Sequence, residues 1–150
     1  MYNTIGILTG GGDAPGLNAV IRAVVKTATC EHGMRVIGIE DGFEGLLGAT
    51  QTRVLSPGDV RGLLPRGGTI LGTRNRGHFA ERTKDGQKVP VGQVYEEAIS
   101  NMRILGIDAL VVLGGEGTLG IAVEFDKRGI PVCGVPKTKV EAPDGIFGWS

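Results

Sequence analysis

The residues best suited to chemistry are the glycines of two short segments, residues 9–18 and 114–118. The first segment reads Thr-Gly-Gly-Gly-Asp-Ala-Pro-Gly-Leu-Asn. Consecutive glycines tolerate positive φ angles and leave no side chain between the backbone amides and a ligand. Where such a run leads into a helix, the unpaired N–H groups of the first helical turn face the same space. The first segment therefore predicts a binding site for phosphate.

This glycine run matches neither of the two common nucleotide-binding motifs. Counted from Gly10, a dinucleotide fingerprint requires glycine at Pro15, and a Walker loop requires lysine where Leu17 follows Gly16. A simpler alternative is that the glycines only form a tight connection between a strand and a helix. Asp13 as a candidate N-cap and Pro15 in the first helical turn favour the phosphate site.

The second segment follows the most strand-like run of the chain, residues 109–113, and places Glu116 among glycines. Thr118 is a candidate cap for a helix over residues 119–127. A carboxylate facing bound phosphates would repel them unless a cation lay between the two. Because Mg²⁺ is commonly held by one or two carboxylates together with substrate phosphates, Glu116 is a candidate magnesium ligand. The alternative is that Glu116 is an exposed turn residue.

Basic residues occur in two further places that suit phosphate chemistry. The Gly-rich segment 66–82 contains four arginines and a histidine, and guanidinium groups bind phosphate oxygens in bidentate fashion. A solvated loop with incidental charge is the alternative. Lys137 and Thr138 follow the short apolar run 132–135, and Lys137 can stabilise a transferring phosphoryl group as a point charge.

Hydrophobic patterning predicts the elements that position these segments. Residues 4–8 and 34–39 are apolar strand-like runs, and residues 17–28 between them carry apolar side chains at helical spacing. A right-handed strand–helix–strand unit forms a parallel sheet, whose ligands bind at the carboxyl ends of the strands. A helical stripe at 94–105 precedes the run 109–113, which reads as a central parallel strand. The predicted fold is α/β, a Rossmann-like three-layer sandwich with a mostly parallel sheet.

Composition narrows the range of partners and the compartment. The 150 residues include sixteen basic and sixteen acidic side chains, so no overall field favours nucleic acid or a membrane surface. Cys30 and Cys133 lie far apart, outside any metal-binding spacing, which is typical of two thiols in a reducing compartment. The first predicted strand begins near Met1, and no apolar run approaches the ~20 residues of a membrane span. A cytoplasmic protein whose partners are small molecules or proteins is expected.

Four blocks together carry a family signature: residues 6–19, 67–73, 114–118 and 136–138. They resemble the amino-terminal half of the 6-phosphofructokinases, over residues 1–138, and leave 139–150 as a divergent C-terminal tail. The resemblance implies the larger part of that family's N-terminal domain. It also implies phosphoryl transfer from ATP or pyrophosphate to the 1-hydroxyl of fructose 6-phosphate, giving fructose 1,6-bisphosphate in glycolysis, with Mg²⁺ and in a cytoplasmic homo-oligomer.

The resemblance also assigns roles to individual residues. The donor-binding positions of the family fall on Gly11, Arg76, Gly115, Gly117 and Thr118. Glu116 occupies the magnesium-ligand position, where the family usually has aspartate, and Lys137 and Thr138 occupy catalytic positions. Gly117 matches the ATP-dependent members, whereas Lys137 matches the pyrophosphate-dependent members. The donor therefore stays open between the two.

The likeness breaks down after Thr138. The family continues with Thr-Ile-Asp-Asn-Asp, in which the first aspartate is the base that takes the sugar proton, whereas this chain reads Thr-Lys-Val-Glu-Ala. Glu141 and Asp144 are out of register with that aspartate. A positioned base is worth roughly 10²–10⁴-fold in rate. The alternative to a kinase is thus an inactive, truncated or diverged protein that binds phosphate or nucleotide. A dinucleotide-binding oxidoreductase, with Glu40 or Asp41 on a ribose, is disfavoured by the glycine spacing.

Overall fold

The computed structural model describes residues 2–10, 17–47, 52–61, 70–72, 79, 83–84, 87–88 and 92–136. Within these residues the chain forms one five-stranded sheet, helices on both of its faces, and a small separate pair of strands. The elements in chain order are β1 Thr4–Thr9, α1 Leu17–Lys26, β2 Arg35–Ile39, β3 Thr52–Leu55, β4 Thr83–Lys84, β5 Gln87–Lys88, α2 Gly92–Leu105, β6 Ala109–Gly114, α3 Glu116–Lys127 and β7 Val132–Pro136.

The sheet has the strand order β3-β2-β1-β6-β7. Strands β2, β1, β6 and β7 run parallel, and β3 pairs with β2 in the antiparallel sense. The predicted α/β fold with a mostly parallel sheet is confirmed, and β6 lies inside the sheet as its unbroken apolar sequence predicts. The two short strands β4 and β5 form a separate antiparallel pair.

The two faces of the sheet are packed differently. Helix α1 covers one face with aliphatic side chains such as Ile21 and Val25, which belong to the same buried cluster as Ile7 of β1. Helices α2 and α3 cover the other face, where a cluster of four aromatic rings fills the core, with neighbouring centroids 5.2–5.9 Å apart. The rings belong to Phe43, Phe79, Tyr95 and Phe125. Burial on both faces explains why β6 and the centre of β1 carry apolar residues at consecutive rather than alternate positions.

The helix ends agree with the sequence in two places and differ in two. Gly33 and Gly106 adopt positive φ angles of 63° and 75° after the first and second helices, as glycines that end helices do. Helix α1 passes into a π-helical turn, Thr27–Glu31, which the apolar spacing did not predict. The prediction that Thr118 caps the third helix is wrong: α3 begins at Glu116, and Gly115 is its N-cap.

Two negative expectations concern cysteines and membranes. Cys30 is exposed and Cys133 is half-buried, and neither forms a disulfide. None of the helices in the described ranges has both the length and the apolar character needed to cross a bilayer.

Candidate functional site

The two glycine segments begin side by side at the carboxyl end of the sheet. Strands β1 and β6 pair in parallel register, with Thr9 opposite Leu113. One residue further on, the Gly10 N–H donates a hydrogen bond of 2.8 Å to the Leu113 carbonyl. The first glycine turn therefore starts directly beside Gly114, where β6 ends. This is the edge at which ligands bind in open parallel sheets.

The side chain of Thr118 explains why both strand ends carry glycine. A Cβ atom placed on Gly10 would lie 2.5 Å from the Thr118 Oγ1, and one placed on Gly114 would lie 2.6 Å from the Thr118 Cβ. Real Cβ atoms do not approach other heavy atoms this closely. Thr118 is only 7% exposed, so its short side chain fills the space that two Cβ atoms would need. The hydroxyl thus packs against the backbone of the first turn.

The connection from β6 to α3 is a single residue long. Gly115 has an extended backbone, with φ at −88°, and its carbonyl accepts the first bond of the helix from the Leu119 N–H, at 2.9 Å. No side-chain cap is present at this N-cap. Glu116 and Gly117, the first two helical residues, are exposed. The positive end of the α3 dipole therefore lies at the same edge of the sheet as Gly10, where it favours an anion.

The Glu116 carboxylate has the properties of a group that is available to a cation. Among the residues the structure describes, it forms no hydrogen bond and no ion pair. In the same described ranges no three acidic, histidine or cysteine side chains cluster closely enough to hold a metal. Mg²⁺ ordinarily takes one or two carboxylates and completes its shell with phosphate oxygens and water. One exposed carboxylate at this edge of the sheet fits that donor set.

Side chains at both ends of the first glycine segment hold a distant part of the chain. The Thr9 hydroxyl donates a 2.8 Å hydrogen bond to the Gly72 carbonyl, and the Asn18 Oδ1 accepts one of 2.8 Å from the Ile70 N–H. Between them, the Leu71 carbonyl accepts a 2.9 Å bond from the Asp41 N–H. Sequence reasoning missed these contacts, because nothing near Thr9 or Asn18 in the sequence points to residues 70–72, here called the anchored tripeptide.

The predicted site residues divide into two groups. Gly115 and the first three residues of α3, which are Glu116, Gly117 and Thr118, lie together at the end of β6 beside Gly10. The other four predicted residues lie outside the described part of the chain, and their roles stay predictions: Gly11, Arg76, Lys137 and Thr138. Of the first group, Thr118 is buried where a donor contact was predicted, and no observation tests that contact.

The carboxylates that follow β2 do not support the dinucleotide alternative. Glu40 forms an ion pair with Arg53, with Oε1 and Nε 3.3 Å apart, across the edge of the sheet. Asp41 has a positive φ of 57° and is bonded through its N–H to Leu71. Its Oδ1 lies so close to Gly72 that a Cβ there would be 2.8 Å away. Both residues are thus engaged with neighbouring chain segments.

The order of the strands in the sheet, and the glycine turn that leads from β6 into α3, place the chain among the doubly wound α/β proteins. Its sequence matches the family described as Phosphofructokinase over residues 4–140. The chain belongs to the phosphofructokinase family. It is 58% identical over 148 residues to the ATP-dependent 6-phosphofructokinase of Chloroflexus aggregans, covering 97% of this chain and 41% of that relative.

Relatives with the other phosphoryl donor also match. The pyrophosphate–fructose 6-phosphate 1-phosphotransferase of Streptomyces coelicolor is 43% identical over 149 residues, covering 97% of this chain and 40% of the relative. The chain therefore spans about 40% of the length of these relatives.

Solved phosphofructokinases share the fold. The Pichia pastoris phosphofructokinase in the T-state superposes with a TM-score of 0.78 at 35% identity, over 92% of this chain and 16% of that one. The Saccharomyces cerevisiae phosphofructokinase gives a TM-score of 0.71 at 32% identity, over 91% of this chain and 20% of that one. These likenesses agree with the α/β fold predicted from the sequence.

Proposed function

We propose that this chain is the donor-binding part of a 6-phosphofructokinase. In this proposal residues 1–138 form the domain that binds ATP or pyrophosphate, and residues 139–150 form a divergent tail. The reaction transfers a phosphoryl group to the 1-hydroxyl of fructose 6-phosphate and yields fructose 1,6-bisphosphate, a step of glycolysis, in the cytoplasm. The family relation supports a homo-oligomeric enzyme of this kind, with a kinase or phosphotransferase reaction.

The observation that carries the proposal is the hydrogen bond between Gly10 and Leu113. It brings the start of a three-glycine run beside the exposed N-terminus of a twelve-residue helix, α3. Backbone N–H groups and a helix dipole that converge on one edge stabilise a polyanion without a dedicated side chain. In our proposal Gly11, Gly115 and Gly117 contact the donor phosphates, and Arg76 binds them from the segment after the anchored tripeptide.

Magnesium is the cofactor that the donor set at this edge fits. In the proposal Glu116 holds the ion, and donor oxygens and water complete its shell. When bound, Mg²⁺ neutralises charge on the donor phosphates, which is the principal requirement of phosphoryl transfer. The extra methylene of glutamate, relative to the aspartate usual in the family, gives the carboxylate a longer reach from the same helix position.

Lys137 and Thr138 complete the proposal on the catalytic side. They come directly after β7, whose carboxyl end is next to that of β6 in the sheet. A lysine there stabilises charge on a transferring phosphoryl group, and a threonine hydroxyl can donate a hydrogen bond to it. Because Gly117 matches the ATP users and Lys137 the pyrophosphate users, both donors belong in the test.

A second candidate function is donor binding without catalysis. The sequence after Thr138 favours it, since no aspartate stands where the family has its proton acceptor. Loss of a positioned base lowers the rate by roughly 10²–10⁴-fold even when the donor is bound correctly.

One pair of measurements on the purified chain separates these functions. Formation of fructose 1,6-bisphosphate is assayed with Mg²⁺ and either ATP or pyrophosphate, and binding of each donor is measured by calorimetry in the same buffer. Turnover supports the kinase and identifies its donor. Binding without turnover supports the second candidate. A folded chain that neither binds nor reacts contradicts both.

A further inference from the structure

The anchored tripeptide is held more firmly than its sequence surroundings lead one to expect. It lies between two segments rich in glycine and arginine, 66–69 and 73–78. Yet each of its three residues forms a hydrogen bond to a different place: Ile70 to α1, Leu71 to the second residue after β2, and Gly72 to the end of β1. In addition, the Leu71 side chain is 2% exposed and belongs to the aliphatic core on the α1 face.

Two of these bonds come from the residues that flank the first glycine segment. Thr9 is the last residue of β1 and is 0% exposed, and Asn18 is the second residue of α1 and is 2% exposed. Burying a hydroxyl or an amide is costly unless the group is hydrogen-bonded. Both side chains meet part of this requirement with the tripeptide, which lies 63 residues after Thr9 and 52 after Asn18. Thr9 and Asn18, at the two ends of the glycine segment, are therefore hydrogen-bonded to the same tripeptide.

This arrangement determines where the arginine-bearing segment begins. Residue 73 follows Gly72 directly in the sequence. Gly72 itself is fixed by the Thr9 hydroxyl, and Thr9 is adjacent to Gly10, the first residue of the glycine turn. The chain therefore enters the segment that carries Arg74 and Arg76 at the margin of the proposed donor site.

We propose that Thr9 and Asn18 are positioning residues. Their side chains hold the anchored tripeptide and thereby set the origin of segment 73–78 relative to the glycine turn. The proposal rests on the function proposed above for its link to donor affinity, but the positioning itself can be tested without a donor. In this proposal the Thr9 hydroxyl and the Asn18 amide act through the anchored tripeptide and do not contact the donor.

The first test is hydrogen exchange on the full chain, read by mass spectrometry on the peptide that covers residues 66–82. Thr9→Val keeps the shape of the side chain and removes its donor, whereas Thr9→Ser keeps the hydroxyl. Thr4→Val is the matched control, a buried threonine at the other end of the same strand. Thr9→Val and Asn18→Leu are expected to accelerate exchange in this peptide, and Thr9→Ser and Thr4→Val are expected to leave it unchanged. Unchanged exchange in Thr9→Val would overturn the proposal.

The second test links the anchor to the arginines. The dissociation constant of pyrophosphate with Mg²⁺ is measured by calorimetry for the wild-type chain and for Thr9→Val, with and without Arg74→Gln and Arg76→Gln together. Loss of one neutral hydrogen bond predicts affinity weakened roughly threefold to tenfold in Thr9→Val. If Thr9 acts through the arginines, their replacement costs less affinity in the Thr9→Val background than in the wild type.

The outcomes of the second test are distinct. Non-additive losses, together with normal affinity in Thr9→Ser, support positioning, and strictly additive losses contradict it. If the wild-type chain binds ATP and not pyrophosphate, the same comparison is made with ATP. A wild-type chain that bound neither donor would contradict the proposed function, and the exchange measurement alone would then decide whether the anchor holds the segment.

Discussion

Two acidic residues bracket strand β6 and are used in opposite ways. Asp108 comes just before the strand, and its Oδ2 accepts hydrogen bonds from the Asn3 N–H at 2.9 Å and the Thr4 N–H at 3.1 Å. Glu116 comes just after the strand, and its carboxylate bonds to no other described residue. The first carboxylate joins β6 to β1 at the amino end of the sheet, and the second is exposed at the carboxyl end.

The hydrogen bonds of the two carboxylates distinguish one that stabilises the fold from one that is exposed at the candidate site. One oxygen of the Asp108 carboxylate accepts two backbone hydrogen bonds, and these bonds from Asn3 and Thr4 hold the pKa of Asp108 below the ordinary value of 3.8. The Glu116 carboxylate accepts no hydrogen bond from the described residues. The two carboxylates therefore differ both in the end of the sheet at which they lie and in whether backbone N–H groups already bind them.

The largest effect is expected from adding a side chain at Gly10, where the carboxyl ends of β1 and β6 lie close together. Gly10→Ala places a Cβ within 2.5 Å of the Thr118 hydroxyl, and this short side chain has little freedom to move away. Overpacking of this kind costs about 1–3 kcal/mol of unfolding free energy. Both the denaturation midpoint and pyrophosphate affinity should fall.

A compensating change makes the Gly10→Ala result specific. Thr118→Ala removes the atoms that the new Cβ would meet, so the double variant should be more stable than the sum of the single changes predicts. Additive destabilisation in urea melts would mean that the contact between Gly10 and Thr118 does not set the cost.

At the exposed carboxylate, Glu116→Gln should weaken magnesium-dependent donor binding and leave stability unchanged. A charge-assisted contact of about 1.5–3 kcal/mol corresponds to a loss of roughly ten- to a hundredfold in affinity. Glu116→Asp keeps the charge and restores the residue usual in the family, so it should retain most of the binding. Titrations of ATP and pyrophosphate at several Mg²⁺ concentrations decide the point, and equal affinity in wild type and Glu116→Gln would rule out the metal role.

Asp108→Asn should produce the converse result, a lower melting temperature with unchanged donor affinity. The wild-type chain should also lose this contribution in acid. Because the folded pKa of Asp108 lies below the unfolded one, its stabilisation is complete above about pH 4 and disappears as pH falls through the folded pKa. Thermal melts between pH 6 and pH 2.5 should show a smaller acid-induced decrease in Asp108→Asn. An identical decrease in both proteins would argue against the role of this carboxylate.

The smallest effect is expected for a carboxylate that lies at neither end of β6. Glu124 on α3 pairs with Arg128, at 2.9 Å, and with Lys127, at 3.3 Å, on an exposed surface. Exposed helix pairs contribute about 0.3–0.5 kcal/mol. Glu124→Gln should therefore change neither stability beyond that range nor donor affinity, which makes it the control for removing negative charge from this helix. A clear loss of donor affinity would mean that net charge, rather than position, governs the response to Glu116→Gln.

The parts of the fold that follow from hydrophobic period were predictable from sequence. The parallel strands β1, β2 and β6 are long apolar runs, and Gly33 and Gly106 mark helix ends by their freedom to adopt positive φ. The start of α3 was not predictable in this way. Its N-cap is Gly115, which leaves no side-chain signal, and Thr118 resembles a cap although its side chain packs between two glycines.

For the site, sequence alone was informative about residue types and silent about distant contacts. Three glycines before a helix and a glutamate among glycines favour phosphate and metal chemistry, and these roles stay predictions. Thr9 and Asn18 hold residues 70–72 through side-chain hydrogen bonds to backbone groups more than fifty residues away. Such bonds leave no periodic pattern and no local motif in the sequence, so only the folded structure shows them.

The pairing of Ile5 with Ala109 has a consequence for the order in which the domain folds. Strand β1 lies in the middle of the sheet, yet one of its two neighbours is synthesised roughly a hundred residues after it. Pairing across such a separation is slow, because the entropy of closing the loop must be met before the contact stabilises anything. On the ribosome, β1, β2 and β3 can associate early, whereas the seam that joins Gly10 to Leu113 can form only after β6 emerges. The proposed donor site is therefore among the last features of the domain to form, and during that interval one edge of β1 is open to pairing with a wrong strand.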